Sequence, residues 1–300
     1  MRSKRLAMLL VVCMLFVLAA TVVMAQQAPA QQAPAQGQAA AQPAPAKPGT
    51  VTFNTVFTKL AKGQQVFCNS VNSPDTVAAR KACAGVDYIW IEMQHAPLTW
   101  RECQDIINVV VSAGCMPFVR VPQASNASDI QKAVDCGAVG IIVPMVESVE
   151  EAQRAVMFAR KPVGDVDNPN VKPWGINSTG GGAAGRLWGR DYATNINNNM
   201  FVMIQIESPM GVGMIDRMLD EVPGINGVMV ASTDFALQPG YDEATDPRFW
   251  ELERIARHAI LRHPGVTLVA KPVWMQIPGY MMFLGRRPDV VPPIPKLYVP

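Results

Sequence analysis

Histidine is scarce in this chain, with three in 300 residues, so a histidine at the tip of an apolar strand calls for a reason. Basic residues barely outnumber acidic ones, and the formal net charge is only +2. Loss of a leader carrying Arg2, Lys4 and Arg5 would bring it to −1. A chain this close to neutral lacks the basic surface that phosphate neutralisation needs, which argues against nucleic acid as a partner. No glycine-rich phosphate loop follows the first strand, which counts against a doubly wound dinucleotide-binding sheet. Cysteine is limited to six residues with no metal-site spacing. Cys83, Cys115 and Cys136 each end a helical stretch just before an apolar run. One disulfide among them and a set of buried free thiols are both open, and an odd count beyond Cys13 leaves at least one unpaired.

Long apolar runs are confined to the start. MRSKR is a basic opening, Leu6 to Met24 is almost pure hydrocarbon, and Val-Met-Ala precedes Gln26. This predicts a secretory signal over residues 1–25. The alternative is an uncleaved anchor, because the run approaches the ~20 residues that span a bilayer. Either way the body lies outside the cytoplasm, periplasmic or secreted, or membrane-anchored and facing outward. No cysteine follows the cleavage site, so lipid attachment there is not indicated. Residues 26–50 form a Gln/Ala/Pro tract with nothing to bury, which reads as a disordered spacer. The folded domain is expected over residues 51–300.

What the body does contain is a repeat. Apolar runs at Val66–Val71, Tyr88–Ile91, Pro117–Val121, Gly140–Val146, Phe201–Ile206, Gly227–Val230 and Thr267–Ala270 read as strands. Amphipathic stretches at Asp75–Ala84, Thr99–Ala113, Ser128–Cys136, Ser148–Arg160, Gly213–Glu221 and Asp246–Arg262 read as helices. Ser148 with Glu151 predicts a capping box. Continuous apolar strands suit a parallel sheet buried on both faces. Strand–helix alternation over about 250 residues predicts an α/β fold, a (β/α)8 TIM barrel. The proline-rich end, with Pro288, Pro292, Pro293 and Pro295, shows no recognisable eighth strand or helix, so an irregular or incomplete last unit is expected.

The strands end in polar groups. Glu92 and His95 end the second, Arg120 the third, Gln205 and Glu207 the fifth, and Asp234 the sixth. In a barrel the strand C-termini ring one mouth, so these groups would converge. Two carboxylates without a cysteine suit a hard divalent ion, Mg²⁺ or Mn²⁺, with Co²⁺ chemically admissible. An ion and an arginine together stabilise an enolate. A histidine beside a carboxylate supplies a base. Proton transfer or C–C cleavage next to a carbonyl is implied. His258 and His263, on a helical stretch, read as surface groups.

With those residues laid out, the chain resembles the metal-dependent (class II) pyruvate aldolases, the 2,4-dihydroxyhept-2-ene-1,7-dioate aldolases grouped with citrate lyase β-subunits. The resemblance rests on "DYIWIEMQHAP", "FVRVP", "AVDCGAVGIIVPMVESVEEA", "FVMIQIES" and "INGVMVASTDFALQPGY". It implies metal ligands Glu207 and Asp234, enolate stabilisation by Arg120, and acid/base work by His95 with Glu92 orienting it. It also implies substrate contacts at Gln205, at the loop of Thr233, and at Asp135, an acid that lies near the mouth in the family and is often contributed across a subunit interface. A 2-oxo acid, with an aldehyde as the other half, would be the substrate, and a symmetric homo-oligomer, a trimer or hexamer, the assembly. Departures are Glu92 and Gln94 in place of Asp and Glu, Ala231-Ser232-Thr233 before Asp234, and Asn177 in place of a loop arginine. A non-catalytic oxo-acid-binding barrel and an acyl-CoA lyase of the citrate lyase type are the alternatives.

Overall fold

The computed structural model describes residues 51–162, 175–178, 182–189 and 192–300. The expected leader and spacer lie outside the described residues. Among those residues no helix is long and apolar enough to cross a membrane.

Eight parallel strands close into a barrel in sequence order. They are β1 (Val66–Val71), β2 (Tyr88–Glu92), β3 (Met116–Arg120), β4 (Gly140–Val143), β5 (Phe201–Ile206), β6 (Gly227–Val230), β7 (Thr267–Ala270) and β8 (Tyr280–Phe283). A leading helix α1 (Thr55–Ala61) precedes β1. The crossover helices are α2 (Thr76–Ala82), α3 (Trp100–Ser112), α4 (Ala127–Cys136) and α5 (Val149–Ala159). They continue with α6 (Gly182–Trp188), α7 (Tyr192–Asn199), α8 (Pro209–Glu221), α9 (Ser232–Leu237) and α10 (Pro247–Leu261).

The barrel is filled by large and small residues in alternation, as a closed parallel sheet requires. Gly140 pairs with Phe118 across β3 and β4, and a Cβ there would lie 2.2 Å from the Phe118 ring. Phe118 packs on Tyr88 and Phe201 at centroid distances of 4.8 and 5.4 Å. Gly140→Ala is therefore expected to cost about 1–3 kcal/mol by overpacking, read as a lower urea midpoint at unchanged slope. At the strand N-termini α1 plugs the barrel. Asn54 donates to the carbonyls of Val139 and Asn199 at 3.2 and 2.8 Å, and Phe57 packs on Phe201 at 5.3 Å.

Several boundaries differ from the sequence expectation. The eighth strand exists: Val66 pairs with Met282 and Phe67 with Phe283, which closes the barrel. It is only four residues long and follows a 3-10 turn at Pro272–Trp274, so no periodicity announced it. No helix follows β8. Instead the tail packs on α10, where Arg257 donates to the Val299 carbonyl at 2.7 Å and lies 5.0 Å from the Tyr298 ring. Arg257 also pairs with the fully buried Glu253, which accepts the Tyr280 hydroxyl at 2.8 Å.

Strand β4 stops at Val143 because Pro144 has no N–H to give and Met145 turns to φ 50°. Helix α8 starts four residues before Gly213, capped by Ser208 with proline in its first turn. Of the expected capping box at Ser148, only half forms. Ser148 accepts from Glu151 N–H, but the Glu151 carboxylate reaches back to the Glu147 N–H at 2.9 Å. The reciprocal box is at Thr99 and Glu102 instead. All five cysteines of the described residues are free and buried.

Candidate functional site

Side chains alternate along a strand, so Trp90 and Glu92 point the same way at the end of β2. Register places Glu92 directly beside Arg120 at the end of β3. Arg120 donates through Nε to Glu92 Oε2 at 2.7 Å, and its Nη2 donates to the same oxygen. Trp90 Nε1 also donates to that oxygen at 3.2 Å, and the guanidinium lies 5.2 Å from the Trp90 ring centroid. The other oxygen, Oε1, accepts the backbone N–H of Gln94 at 2.7 Å and of His95 at 3.0 Å. Burial by itself would raise the Glu92 carboxyl. The Arg120 hydrogen bonds and charge, the His95 N–H and the Trp90 indole outweigh it and hold the group below the usual carboxylate range.

This corrects the expected pairing of Glu92 with the His95 imidazole. Glu92 meets the backbone of His95, and the ring is exposed with no hydrogen-bond partner among the described residues. The extra methylene relative to aspartate lets the carboxylate fold back onto its own turn and onto Arg120. Glu92 is thus a saturated anion that fixes an arginine and the shape of residues 92–95.

Gln205 and Glu207 extend the inward face of β5. Glu207 is 3% exposed, and no side chain donates to it among the described residues. Burial, then the charges of Asp234 and Glu147, push its carboxyl up to about 7 against the opposing effect of Arg120 and the Met145 N–H. One electrostatic neighbourhood therefore joins the ends of β3, β4, β5 and β6. Asp234 is exposed in the first turn of α9, beside the exposed Thr233, and Ala231 gives that helix no side-chain cap. Gln205 is buried with an unpartnered Oε1, and its Nε2 lies 3.7 Å from Met229 Sδ.

Three contributors escaped the sequence reading. Trp90 shares the inward alternation with Glu92, which was a usable signal. Glu147 accepts the Ser208 hydroxyl on the rim, and Met145 aims its N–H at Glu207 from its left-handed backbone. Neither of these two had a sequence signature.

Asp135 lies elsewhere. It is the second-last residue of α4, a helix that returns from the mouth toward the strand N-termini. There it sits 3.4 Å from Lys161 Nζ, which also donates to Asn177 Oδ1 at 3.0 Å and to the Ser178 carbonyl at 2.5 Å. Within its own chain Asp135 therefore cannot line the mouth, and Asn177 belongs to the same remote cluster. Desolvation lowers the Lys161 pKa against the charge of Asp135. Asp135→Asn is expected to lose about 1–2 kcal/mol of stability with kcat unchanged, measured by urea unfolding and steady-state assay. A fall in kcat without a stability loss would place Asp135 at a neighbouring subunit's site.

The donors suit a hard cation only in part by themselves. Among the described residues no three or more His, Cys, Asp or Glu side chains are close enough together to hold an ion. Glu207 and Asp234 repel one another, which a divalent ion would relieve, and two carboxylates leave further positions for water and substrate oxygens.

Residues 65–271 match the family described as HpcH/HpaI aldolase/citrate lyase. A 2-keto-3-deoxy-L-rhamnonate aldolase of Escherichia coli O17:K52:H18 is 29% identical over 209 residues, 68% of this chain and 73% of its own length. A hydroxypyruvate/pyruvate aldolase of Rhizorhabdus wittichii is 30% identical over 207 residues, 68% and 77% of the two chains. The crystal structure of an HpcH/HpaI aldolase from Desulfitobacterium hafniense superposes with a TM-score of 0.67 at 26% identity, covering 77% of this chain and 89% of that one.

Proposed function

The chain belongs to the HpcH/HpaI aldolase/citrate lyase family, and from that premise we propose a divalent-metal-dependent carbon–carbon lyase. It would cleave or form the C3–C4 bond of a 4-hydroxy-2-oxo acid, with pyruvate as the nucleophilic half. The observation that carries this reading is Arg120, held rigidly by Glu92 and Trp90, in the same electrostatic neighbourhood as the buried Glu207.

Glu207 and Asp234 would hold the ion, Mg²⁺ or Mn²⁺. A bound divalent ion supplies Lewis-acid polarisation of the 2-oxo group. Arg120 gives two of its donors to Glu92, and its remaining N–H groups are available to the oxygen on which negative charge develops. Because the guanidinium is already oriented, little reorganisation is needed as that charge forms. His95, exposed on the rim, takes the proton from the C4 hydroxyl. The C3–C4 bond then breaks, the aldehyde departs, and the electron pair enters the enolate. Protonation at C3, with His95 returning the proton, completes pyruvate. Gln205, with its orphan carbonyl, offers an acceptor to a substrate or water hydroxyl at the floor of the site.

The test is metal-dependent pyruvate release from a 4-hydroxy-2-oxo acid. Activity should vanish with a chelator and return on addition of Mn²⁺. Activity that survives exhaustive chelation sinks the proposal. Since the ion binds the ionised carboxylate, affinity should fall as pH drops below the Glu207 value of about 7. Calorimetric Mn²⁺ affinity is expected to be roughly tenfold weaker at pH 6 than at pH 8.

Export is part of the same proposal, supported by the basic opening, the apolar run and the small residues before Gln26. A homo-oligomer is also proposed, to be read by light scattering.

A further inference from the structure

One cation at the mouth has no part in the lyase chemistry. Lys271 is the first residue past β7, as Glu207 is past β5 and Ala231 past β6. Gln205 is in register with Met229, and Met229 with Val269. Two residues on, Glu207, Ala231 and Lys271 therefore form the next inward row. The inward direction is fixed at both flanks. Gln205 Nε2 lies 3.7 Å from Met229 Sδ. A Cβ on Gly227 would lie 3.3 Å from Val269 Cγ2 and 2.8 Å from the Phe201 ring in the barrel interior. Lys271 itself is extended, with φ −75° and ψ 153°, so the alternation runs through it. Two strand spacings, about 10 Å, separate its backbone from that of Glu207. Between them stands only the methyl group of Ala231.

The head of Lys271 is aimed by a single partner. Nζ donates to Glu243 Oε2 and lies 5.5 Å from the Trp274 ring centroid. Glu243 comes from the connection that leads into α10, and it is pinned there. Trp274 Nε1 donates to its Oε1 at 2.9 Å, and Trp250 Nε1 donates to its backbone carbonyl at 2.9 Å. Both tryptophans are fully buried. The Lys271 and Glu243 side chains nevertheless stay 34% and 25% exposed. An ammonium has three donors and a carboxylate about four acceptor sites, so the pair keeps both kinds of group open to the mouth.

Resting on the lyase reading, we propose that Lys271 and Glu243 select the aldehyde half, and that it is a neutral aldehyde hydroxylated next to its carbonyl. A hydroxyl both donates and accepts, which is the complement of an ammonium beside a carboxylate. An aldehyde carrying a carboxylate fits worse, because Glu243 already balances the lysine. Around the mouth Glu92, Glu147, Glu207, Asp234 and Glu243 also outnumber Arg120 and Lys271. A bound divalent ion still leaves that balance negative, so an anionic tail is repelled. An apolar aldehyde displaces water from the pair and returns no hydrogen bond. Lys271 takes no part in bond breaking here; it is a specificity-determining residue.

The test runs the reaction toward synthesis, with pyruvate, Mn²⁺ and one aldehyde at a time: glyceraldehyde, propanal or 4-oxobutanoate. In the parent, kcat/KM for glyceraldehyde should exceed that for either of the others by about 10-fold or more. Lys271→Met keeps the stem without the charge and should lose the lead over propanal, mainly through a higher KM for glyceraldehyde. Glu243→Gln leaves the ammonium unbalanced, so 4-oxobutanoate should gain about 10-fold on glyceraldehyde. The proposal is overturned if the parent uses glyceraldehyde and propanal equally or prefers 4-oxobutanoate. It is also overturned if the lead over propanal survives in Lys271→Met, or if Glu243→Gln leaves the ratio unmoved. The parent's preference decides even where a variant folds poorly. Deuterium exchange into pyruvate with no aldehyde present separates the two ways of failing. Exchange without the preference removes the role of Lys271 and keeps the lyase, whereas no exchange removes both.

Discussion

Glu92→Ala is expected to destabilise the fold by about 3–5 kcal/mol and to abolish turnover together with stability. The magnitude follows from what the carboxylate holds. Its side chain is 10% exposed and that of Arg120 is 15% exposed, so removal leaves a poorly solvated guanidinium without its counter-ion. It also strips the acceptor from the N–H groups of Gln94 and His95 and from the Trp90 indole. Urea unfolding gives the stability and the pyruvate-release assay gives the activity. Glu92→Gln, of the same shape but neutral, should recover part of the stability while Arg120 stays loosely held. If Glu92→Ala instead kept full stability and lost only kcat, Glu92 would be a chemical group of the reaction and not an anchor.

Glu207→Gln is expected to move function and stability in opposite directions. Metal affinity should drop by about 100-fold or more, because the most buried oxygen donor is gone. The metal-free variant, in contrast, should be more stable than the parent at pH 8. The folded Glu207 carboxyl is raised to about 7 by burial and by Asp234 and Glu147. A raised carboxyl adds stability that is fully present below its unfolded value and is lost as pH rises through the folded value. At pH 8 the parent has lost that contribution, and glutamine removes the loss, so the variant gains about 3 kcal/mol. At pH 4 the two should be equal. Thermal melts of both proteins with and without Mn²⁺ measure all three statements. A metal-free variant no more stable than the parent at pH 8 would mean that Glu207 is not desolvated by its surroundings.

Most of this architecture was legible in the sequence because burial on both faces of a parallel strand leaves a continuous apolar run. Seven strands announced themselves in that way, and the polar residues ending four of those runs marked the mouth. The eighth strand did not, since Tyr280–Phe283 is short and proline-flanked, and only its pairing with β1 defines it. Convergence of Glu92, Arg120 and Glu207 was legible from the same logic. Their roles were not, because hydrogen-bond direction depends on χ angles that spacing does not encode. Glu92 sits three residues before His95, yet the turn brings it to the peptide N–H and not to the ring. Asp135 shows the opposite limit. Its motif suggested the mouth, of its own or of a neighbouring subunit, and within its own chain the helix that carries it runs to the other end of the barrel.

Hydrogen exchange at pyruvate tests whether Arg120 and His95 serve an enolate at this mouth, without needing to know the aldehyde. The full chain is incubated with pyruvate and Mn²⁺ in D₂O, and the methyl protons are followed by NMR. The expected result is metal-dependent loss of the methyl signal, slowed by about 10²-fold or more in Arg120→Ala and in His95→Ala. Calorimetric binding of pyruvate in the presence of Mn²⁺ with no exchange at all would contradict it, and would leave an oxo-acid-binding barrel in place of a lyase.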